Sequence, residues 1–216
     1  MKVTTYINEI YSTTEVKITY KNTTKESIEL IVEIPIKSDI IFNYFIAKIK
    51  DKIIKSKVIE TNKAEEKYND AIASGNTGII SSYDINEKKC SLKIGNLPSN
   101  EVLNLSFHFI QFVNIKDSYY HVNIIKDFPK INEFNSDDFK GKIIIEANSK
   151  IKNITPKNNF ENINYDINYS EKKKKCEIEY NENKIDKIIF QTKKIKKPLM
   201  ICQYNNKLNE MNYILK

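Results

Sequence analysis

Two histidines and three cysteines are the side chains of this 216-residue chain best suited to acid–base or nucleophilic chemistry. The cysteines are Cys90, Cys176 and Cys202. They lie far apart without a C-x-x-C pair, which disfavours zinc ribbons and disulfide frameworks. A catalytic Ser or Cys needs a base within hydrogen-bond reach and a third group that orients the base. His108 follows Ser106 on a predicted strand, but neither His108 nor His121 stands in a G-x-S-x-G or Cys-His motif.

The sequence gives little support for a phosphate-binding site. The chain contains no Walker A string and no G-x-G-x-x-G motif, so the sequence gives no support for nucleotide binding. Two lysine clusters could contact phosphate or anionic lipid instead. They are Lys172, Lys173, Lys174 and Lys175, and Lys193, Lys194, Lys196 and Lys197. The first cluster falls between two predicted strands, where a solvated hairpin turn is the more ordinary role.

Composition limits the partners. The formal net charge is +7, yet all 35 basic residues are lysine. Arginine is the usual residue for bidentate contacts to phosphate or guanine, so we expect no specific nucleic-acid recognition. The N-terminus has no apolar signal segment, and no stretch approaches the roughly 18 apolar residues of a membrane span. We therefore expect an intracellular, cytoplasmic location.

The elements around these residues read mainly as strands. Val16, Ile18 and Tyr20 alternate with polar residues, and Leu103 to Phe109 alternate in the same way. Period-two alternation places one row of side chains toward a core and the other toward solvent. In the second half, strands are predicted at 119–125, 142–146, 162–169, 175–180, 185–191 and 199–204.

One helix interrupts the strands. Ala64, Tyr68, Ala71 and Ile72 form an apolar stripe with helical spacing, which predicts a helix over 63–74. Asn62 is the predicted N-cap. Many short antiparallel strands and this single packed helix indicate a mainly β protein, a β-sandwich. We divide it into a core at 1–115, a further β-rich segment at 116–204 that completes the module, and a polar tail at 205–216.

The helix and a later tetrapeptide form a specific combination. Glu60, Ala64, Tyr68, Ala71 and Gly75 follow the pattern E-x3-A-x3-Y-x2-A-x3-G. A later strand ends in Gly95-Asn96-Leu97-Pro98, and upstream stand Asn22 and the strand end at 33–36. This order resembles the VIT domain (vault protein inter-alpha-trypsin domain), which occurs N-terminal to von Willebrand A domains.

These signature residues have a structural interpretation. Ala64 and Ala71 are small where a helix approaches a sheet, Tyr68 supplies a large buried ring, and Gly75 permits a positive φ. The tetrapeptide from Gly95 to Pro98 is predicted to form a tight turn between strands.

The resemblance implies a non-enzymatic module, without cofactor or metal, that supports folding or protein–protein contact. The implied partner is a von Willebrand A domain, in the same polypeptide or in trans. The alternative is an anion-binding module, for phospholipid or nucleic acid, that uses the lysine clusters. A third hypothesis, a hydrolase, requires a pocket that brings His108 or His121 to a nucleophile.

Metal binding is not expected either. By the resemblance, an A domain binds a divalent cation through D-x-S-x-S, and the nearest string here is 166–170, where Asn168 replaces the first Ser. It lies in an alternating strand pattern, so we interpret the match as coincidence. Asp137 and Asp138 could offer oxygens to calcium, but a solvated loop is the expected role.

Overall fold

The computed structural model describes residues 1–36, 39–84, 86–125, 139–157, 165–181, 184–194, 200–205 and 210–215, the last two by backbone alone. Asp137, Asp138, Lys196 and Lys197 lie outside these ranges. In chain order the elements are β1 (Lys2–Ile7), β2 (Tyr11–Lys21), β3 (Ile28–Pro35), β4 (Ile40–Ile49), β5 (Lys52–Lys55), α1 (Thr61–Ala73), β6 (Gly78–Asp84), β7 (Lys89–Leu97), β8 (Val102–Phe112), β9 (Asn114–Lys116), β10 (Tyr119–Asn123), β11 (Lys140–Glu146), β12 (Ile151–Lys157), β13 (Asp166–Tyr169), β14 (Lys175–Tyr180), β15 (Lys187–Thr192), β16 (Met200–Asn205) and β17 (Glu210–Leu215).

The strands form one large sheet and three smaller ones. The main sheet has the order β13-β14-β11-β1-β2-β8-β4-β5. A three-stranded sheet (β3-β7-β6), a four-stranded sheet (β12-β15-β10-β9) and the hairpin β16-β17 complete the architecture. The mainly β sandwich with a single helix among the described residues is therefore confirmed. The segment expected to be a polar tail contains β17, and β12 was also not predicted.

Strands from both halves of the chain share the main sheet. β1 pairs with β2 on one side and with β11 on the other, from Lys2 opposite Lys140 to Ile7 opposite Ile145. The pairing of β1 with β11 is parallel, whereas sequence predicted antiparallel strands. Parallel neighbours need a long crossover connection, and here the chain between β1 and β11 supplies it.

The core lies against the inner face of the main sheet. Phe107 and Phe109 of β8 are almost completely buried, as are Leu92 and Ile94 of the three-stranded sheet and Phe190 of the four-stranded sheet. All belong to one hydrophobic cluster that draws residues from the three sheets. The strict alternation of β8 arises because only one of its faces meets this cluster.

Helix α1 begins earlier than predicted. Glu60, not Asn62, is its N-cap: the Glu60 backbone is still extended, and its carbonyl accepts the hydrogen bond from the Ala64 amide. No side chain caps the first turn, and the Glu60 carboxylate pairs instead with Lys63, at 2.8 Å. Gly75 ends the helix with a φ of 71°, a left-handed conformation that glycine adopts without strain.

The helix rests on the hairpin of β6 and β7. None of its residues is fully buried, and Tyr68, which was expected to supply a large buried ring, is partly buried. Tyr68 and Ile72 lie over Gly78 and Gly95, which pair across the hairpin. A Cβ at Gly78 would lie 3.1 Å from Tyr68 Cδ2, and one at Gly95 would lie 2.6 Å from the Tyr68 hydroxyl.

Gly95 and Asn96 do not form the predicted turn, since β7 continues through them to Leu97. Between the pairs Ile28 with Leu97 and Leu30 with Ile94, β3 advances two residues and β7 advances three. The extra residue makes a β-bulge, in which Asn96 has a φ of 52°. The turn itself follows β7, where the Glu101 amide donates to the Pro98 carbonyl.

Gly95→Ala should lower the free energy of unfolding by about 1–3 kcal/mol, because the added methyl group overlaps Tyr68 and Ile72. Urea denaturation measures this cost. In a Tyr68→Phe, Ile72→Val background the overlapping atoms are removed, and the cost of Gly95→Ala should shrink. An equal cost in both backgrounds would show that the helix does not require Gly95.

Candidate functional site

Asn96, one of the family-signature residues, clamps helix α1 to β7. The Asn96 side-chain amide donates to the carbonyls of Ile72, at 3.0 Å, and Asn76, at 3.3 Å. These carbonyls lie at the end of α1, so Asn96 ties the helix to the bulge of β7. Thr77 Oγ1 donates in turn to the Asn96 carbonyl, at 3.0 Å.

Asn22 provides a second clamp on the same segment. Its side chain is completely buried, and its two Nδ2 hydrogens are shared among the carbonyls of Leu97 (2.9 Å), Pro98 (3.0 Å) and Glu26 (2.9 Å). Its Oδ1 accepts hydrogen bonds from the backbone amide and hydroxyl of Thr24. The amide therefore joins the end of β2 to the turn after β7, and nearly all its hydrogen-bonding capacity serves the fold.

The structure brings His108 to a nucleophile type, but not in a catalytic arrangement. Ser106 Oγ donates to Glu15 Oε1 at 2.8 Å and lies 3.2 Å from His108 Nε2. Glu15 Oε1 is 3.6 Å from the same nitrogen. A triad carboxylate binds the imidazole nitrogen that faces away from the nucleophile, whereas Glu15 shares the nitrogen beside Ser106. The His108 ring stacks on Tyr44, with 4.2 Å between centroids.

The two cysteines with described side chains are buried core residues. Cys90 is 2% exposed and Cys176 is fully buried. Desolvation raises the pKa of both thiols to about 11, so they are protonated at neutral pH and weakly nucleophilic. His121 lies on β10, opposite Ile189 of β15.

The string at 166–170 runs along an edge of the main sheet. Asp166 is opposite Glu179 of β14, and Ser170 Oγ accepts the Lys175 amide at 3.2 Å. Within the described residues, no group of three or more His, Cys, Asp and Glu side chains is arranged to hold a metal ion.

The described lysines of the two clusters occupy turns and strand ends. Lys172, Lys173 and Lys174 are exposed in the turn between β13 and β14. Lys175 begins β14 and pairs with Glu146 and Glu177, at 3.6 and 3.4 Å. Lys193 and Lys194 are exposed just after β15.

A surface that sequence analysis missed lies on the outer face of the main sheet. We call it the outer apolar patch; it comprises Tyr6, Tyr11, Ile41, Ile110 and Phe112. Tyr11 is opposite Phe112, and Ile110 is opposite Ile41, so the patch crosses β2, β8 and β4, with Tyr6 on the neighbouring β1.

Exposure distinguishes this patch from the core. The exposed fractions are 51% for Tyr6, 43% for Tyr11, 54% for Ile41 and 57% for Phe112. Isolated exposed apolar residues are ordinary, but neighbouring large ones mark contact surfaces. The sequence signal was the end of β8, where Ile110 and Phe112 continue the row of Asn104, Ser106 and His108 with apolar side chains.

Asn22→Ala should lower the free energy of unfolding by about 3 kcal/mol, because it leaves buried carbonyls without donors. Asn104→Ala is the matched control, since the exposed Asn104 makes one hydrogen bond, with Thr19. It should cost within about 0.5 kcal/mol. Equal midpoints in urea for the two variants would contradict the clamp.

The pKa of His108 is lowered by burial, while the nearby Glu15 carboxylate partly raises it. Glu15→Gln should therefore lower the His108 pKa further. Titration of the imidazole proton shifts by NMR measures this, with His121 as internal control. Because the folded pKa lies below the ordinary 6.5, protonation favours unfolding, and stability attributable to His108 should fall as pH drops through about 6.5. A rise of the His108 pKa in Glu15→Gln would contradict the contact.

Relatives and a solved structure resemble this chain. A von Willebrand factor A domain-containing protein of Dictyostelium discoideum is 28% identical over 217 residues, covering 97% of this chain and 24% of the relative. A second such protein of that organism is 39% identical over 82 residues, covering 38% of this chain and 9% of the relative. The chain thus spans about a quarter or less of the length of these relatives.

A Legionella pneumophila protein with a provisional description as nutrient binding shares the fold, with a TM-score of 0.50 and 12% identity over 88% of this chain and 66% of that one.

The helix of the described residues is too short and too polar to cross a membrane. The sequence profile of the "Vault protein inter-alpha-trypsin domain" matches residues 1–109, which include β1 to β7, α1, both clamps and most of β8. The chain belongs to the VIT domain family.

Proposed function

We propose that this chain is a non-catalytic module that docks a von Willebrand A domain, in the same polypeptide or in trans, through the outer apolar patch. Its family and its relatives support a protein-interaction module. The relatives are named for an A domain, and the segment aligned with this chain makes up 24% or less of those described above.

The outer apolar patch is the observation that carries this proposal. It lies on one face of the main sheet and crosses β1, β2, β8 and β4, so a partner that covers it packs against side chains. Large aromatic and aliphatic side chains at the centre of a contact supply most of the binding energy between proteins. Tyr6, Tyr11 and Phe112 give the patch three such aromatic groups.

A polar row borders the patch and suits the rim of a protein contact. Glu15 lies opposite His108 of β8 and Thr4 of β1. These three residues form the next outward-facing row of the sheet, two residues along the strands from Tyr6 and Ile110 of the patch. Lys17 pairs with Glu15 at 2.9 Å, so this part of the rim is charge-balanced.

Absence of catalysis is part of the proposal. The Ser106, His108 and Glu15 group lacks the orientation that general-base catalysis requires, and the buried thiols of Cys90 and Cys176 are protonated at neutral pH.

The test is binding of the purified chain to the separately produced A domain of the Dictyostelium relative that aligns with 97% of it. Ile41→Thr with Phe112→Thr should weaken the Kd by roughly 30-fold or more, because both changes remove central apolar contacts. Calorimetry or biolayer interferometry measures the Kd.

Ile31→Thr with Ile53→Thr is the matched control. These isoleucines are 57% and 68% exposed but lie on the edge strands β3 and β5, outside the patch. The control should leave the Kd within about threefold of the unmodified chain. Equal weakening by both pairs would reject the patch as the docking surface, and no binding by the unmodified chain would reject the docking function itself.

A further inference from the structure

Three segments meet where the main sheet and the four-stranded sheet join: the connection between β11 and β12, the turn between β13 and β14, and the two residues that follow β15. The segment between β11 and β12 makes the contacts: the Ile151 amide donates to the Lys173 carbonyl at 2.8 Å, and the Ala147 amide donates to the Lys174 carbonyl at 2.9 Å. On its other side, the Lys193 amide donates to the Lys150 carbonyl at 2.9 Å.

These backbone contacts unite lysines that are distant in sequence. We call the resulting surface the lysine end, comprising Lys150, Lys172, Lys173, Lys174, Lys193 and Lys194. All six side chains are exposed. The Lys194 amide donates to Ser149 Oγ, at 3.3 Å, and this bond joins the residues after β15 to the connection between β11 and β12.

The charges of the lysine end are available to a ligand. None of the six pairs with a carboxylate in the part of the chain that the structure describes, and Lys173 lies over the Tyr169 ring, at 5.6 Å from its centroid. Lys142 and Lys175, on adjacent strands of the same sheet, each pair with two glutamates. The acidic groups nearby include Glu146, which pairs with Lys175, the exposed Glu171, and the buried Glu9, whose carboxylate accepts a hydrogen bond from Asn148.

The lysines of the lysine end lie in segments that connect or follow strands and not within the strands themselves. Tyr169, which is 41% exposed, ends β13 and adjoins the turn between β13 and β14. Tyrosine side chains suit the interface between water and lipid headgroups, where an amphipathic ring has one apolar and one wet end.

We propose that the lysine end binds the phosphate-bearing headgroups of an anionic phospholipid bilayer. Each lysine near such a surface contributes about 1 kcal/mol, within a screening length of about 10 Å at 0.1 M salt. The contribution is additive over point charges and needs no bidentate geometry, which suits lysine without arginine. This activity is independent of A-domain docking, since the lysine end and the outer apolar patch share no residue.

The experiment is co-sedimentation of the full chain with phosphatidylcholine vesicles that contain about 30% phosphatidylserine, at low and physiological salt. The triple variant Lys150→Gln, Lys173→Gln, Lys193→Gln removes one charge from each of the three segments that form the lysine end. It should reduce the partition coefficient by roughly a hundredfold, because each lysine removed weakens binding by roughly fivefold and the three factors multiply.

A second triple variant, Lys52→Gln, Lys57→Gln, Lys67→Gln, is the matched control. It removes the same net charge from exposed positions on β5, the segment after it, and α1, and β5 is at the opposite edge of the main sheet from β13. Binding should fall less than about threefold, because these lysines belong to none of the three segments that form the lysine end. In the main sheet β5 is seven strand spacings of about 4.8 Å from β13, roughly three screening lengths.

Four outcomes would overturn the proposal: equal losses in the two triple variants, equal binding to pure phosphatidylcholine, no salt dependence, or tighter binding to a duplex oligonucleotide than to the vesicles. The last would assign the lysine end to nucleic acid instead. Because glutamine could disturb the turns, Lys150→Arg, Lys173→Arg, Lys193→Arg serves as a charge-conserving variant. It should retain vesicle binding, and its loss of binding would also count against the proposal.

Discussion

The parallel pairing of β1 with β11 is the contact on which the rest of the structure depends. It joins strands that are more than 130 positions apart in one sheet, from Lys2 opposite Lys140 to Ile7 opposite Ile145. Both surfaces follow from it. It places β11 beside Tyr6 at the border of the outer apolar patch, and it positions the segment after β11 that gathers the lysine end. The second half of the chain is therefore part of the same sandwich as the family-matched half.

Local patterns predicted the strands that have one buried face. β8 alternates between Leu103, Leu105 and Phe107 inward and polar residues outward, and this signal needs no knowledge of partners. β14 was predicted over 175–180, its range in the structure. The parallel partner of β1 was not predictable in this way, because register between distant strands depends on contacts that no local window contains.

Gly95 shows why the sequence predicted a turn where the structure has a strand. Gly-Asn shortly before Pro is turn chemistry when read locally. In the structure the glycine is required by Tyr68 and Ile72, which approach from the helix, and Asn96 is required by the carbonyls that the helix end exposes. For a related reason the outer apolar patch was not predicted, and the two lysine clusters were predicted without the surface that unites them. Ile41 and Phe112 become neighbours through Ile110 only by strand pairing, and Lys150 joins Lys173 and Lys193 only through backbone hydrogen bonds.

Helix α1 carries one half of the family signature, and none of its residues is fully buried. It is held by half-buried side chains above two glycines and by the amide of Asn96 at one end. Its opening would leave the hydrophobic cluster of the sheets closed, because that cluster contains no helix residue. Segments of this kind exchange their amide hydrogens by subglobal opening, well below the free energy of global unfolding. The helical half of the family signature is thus expected to open separately, while the half on β7 stays with the core.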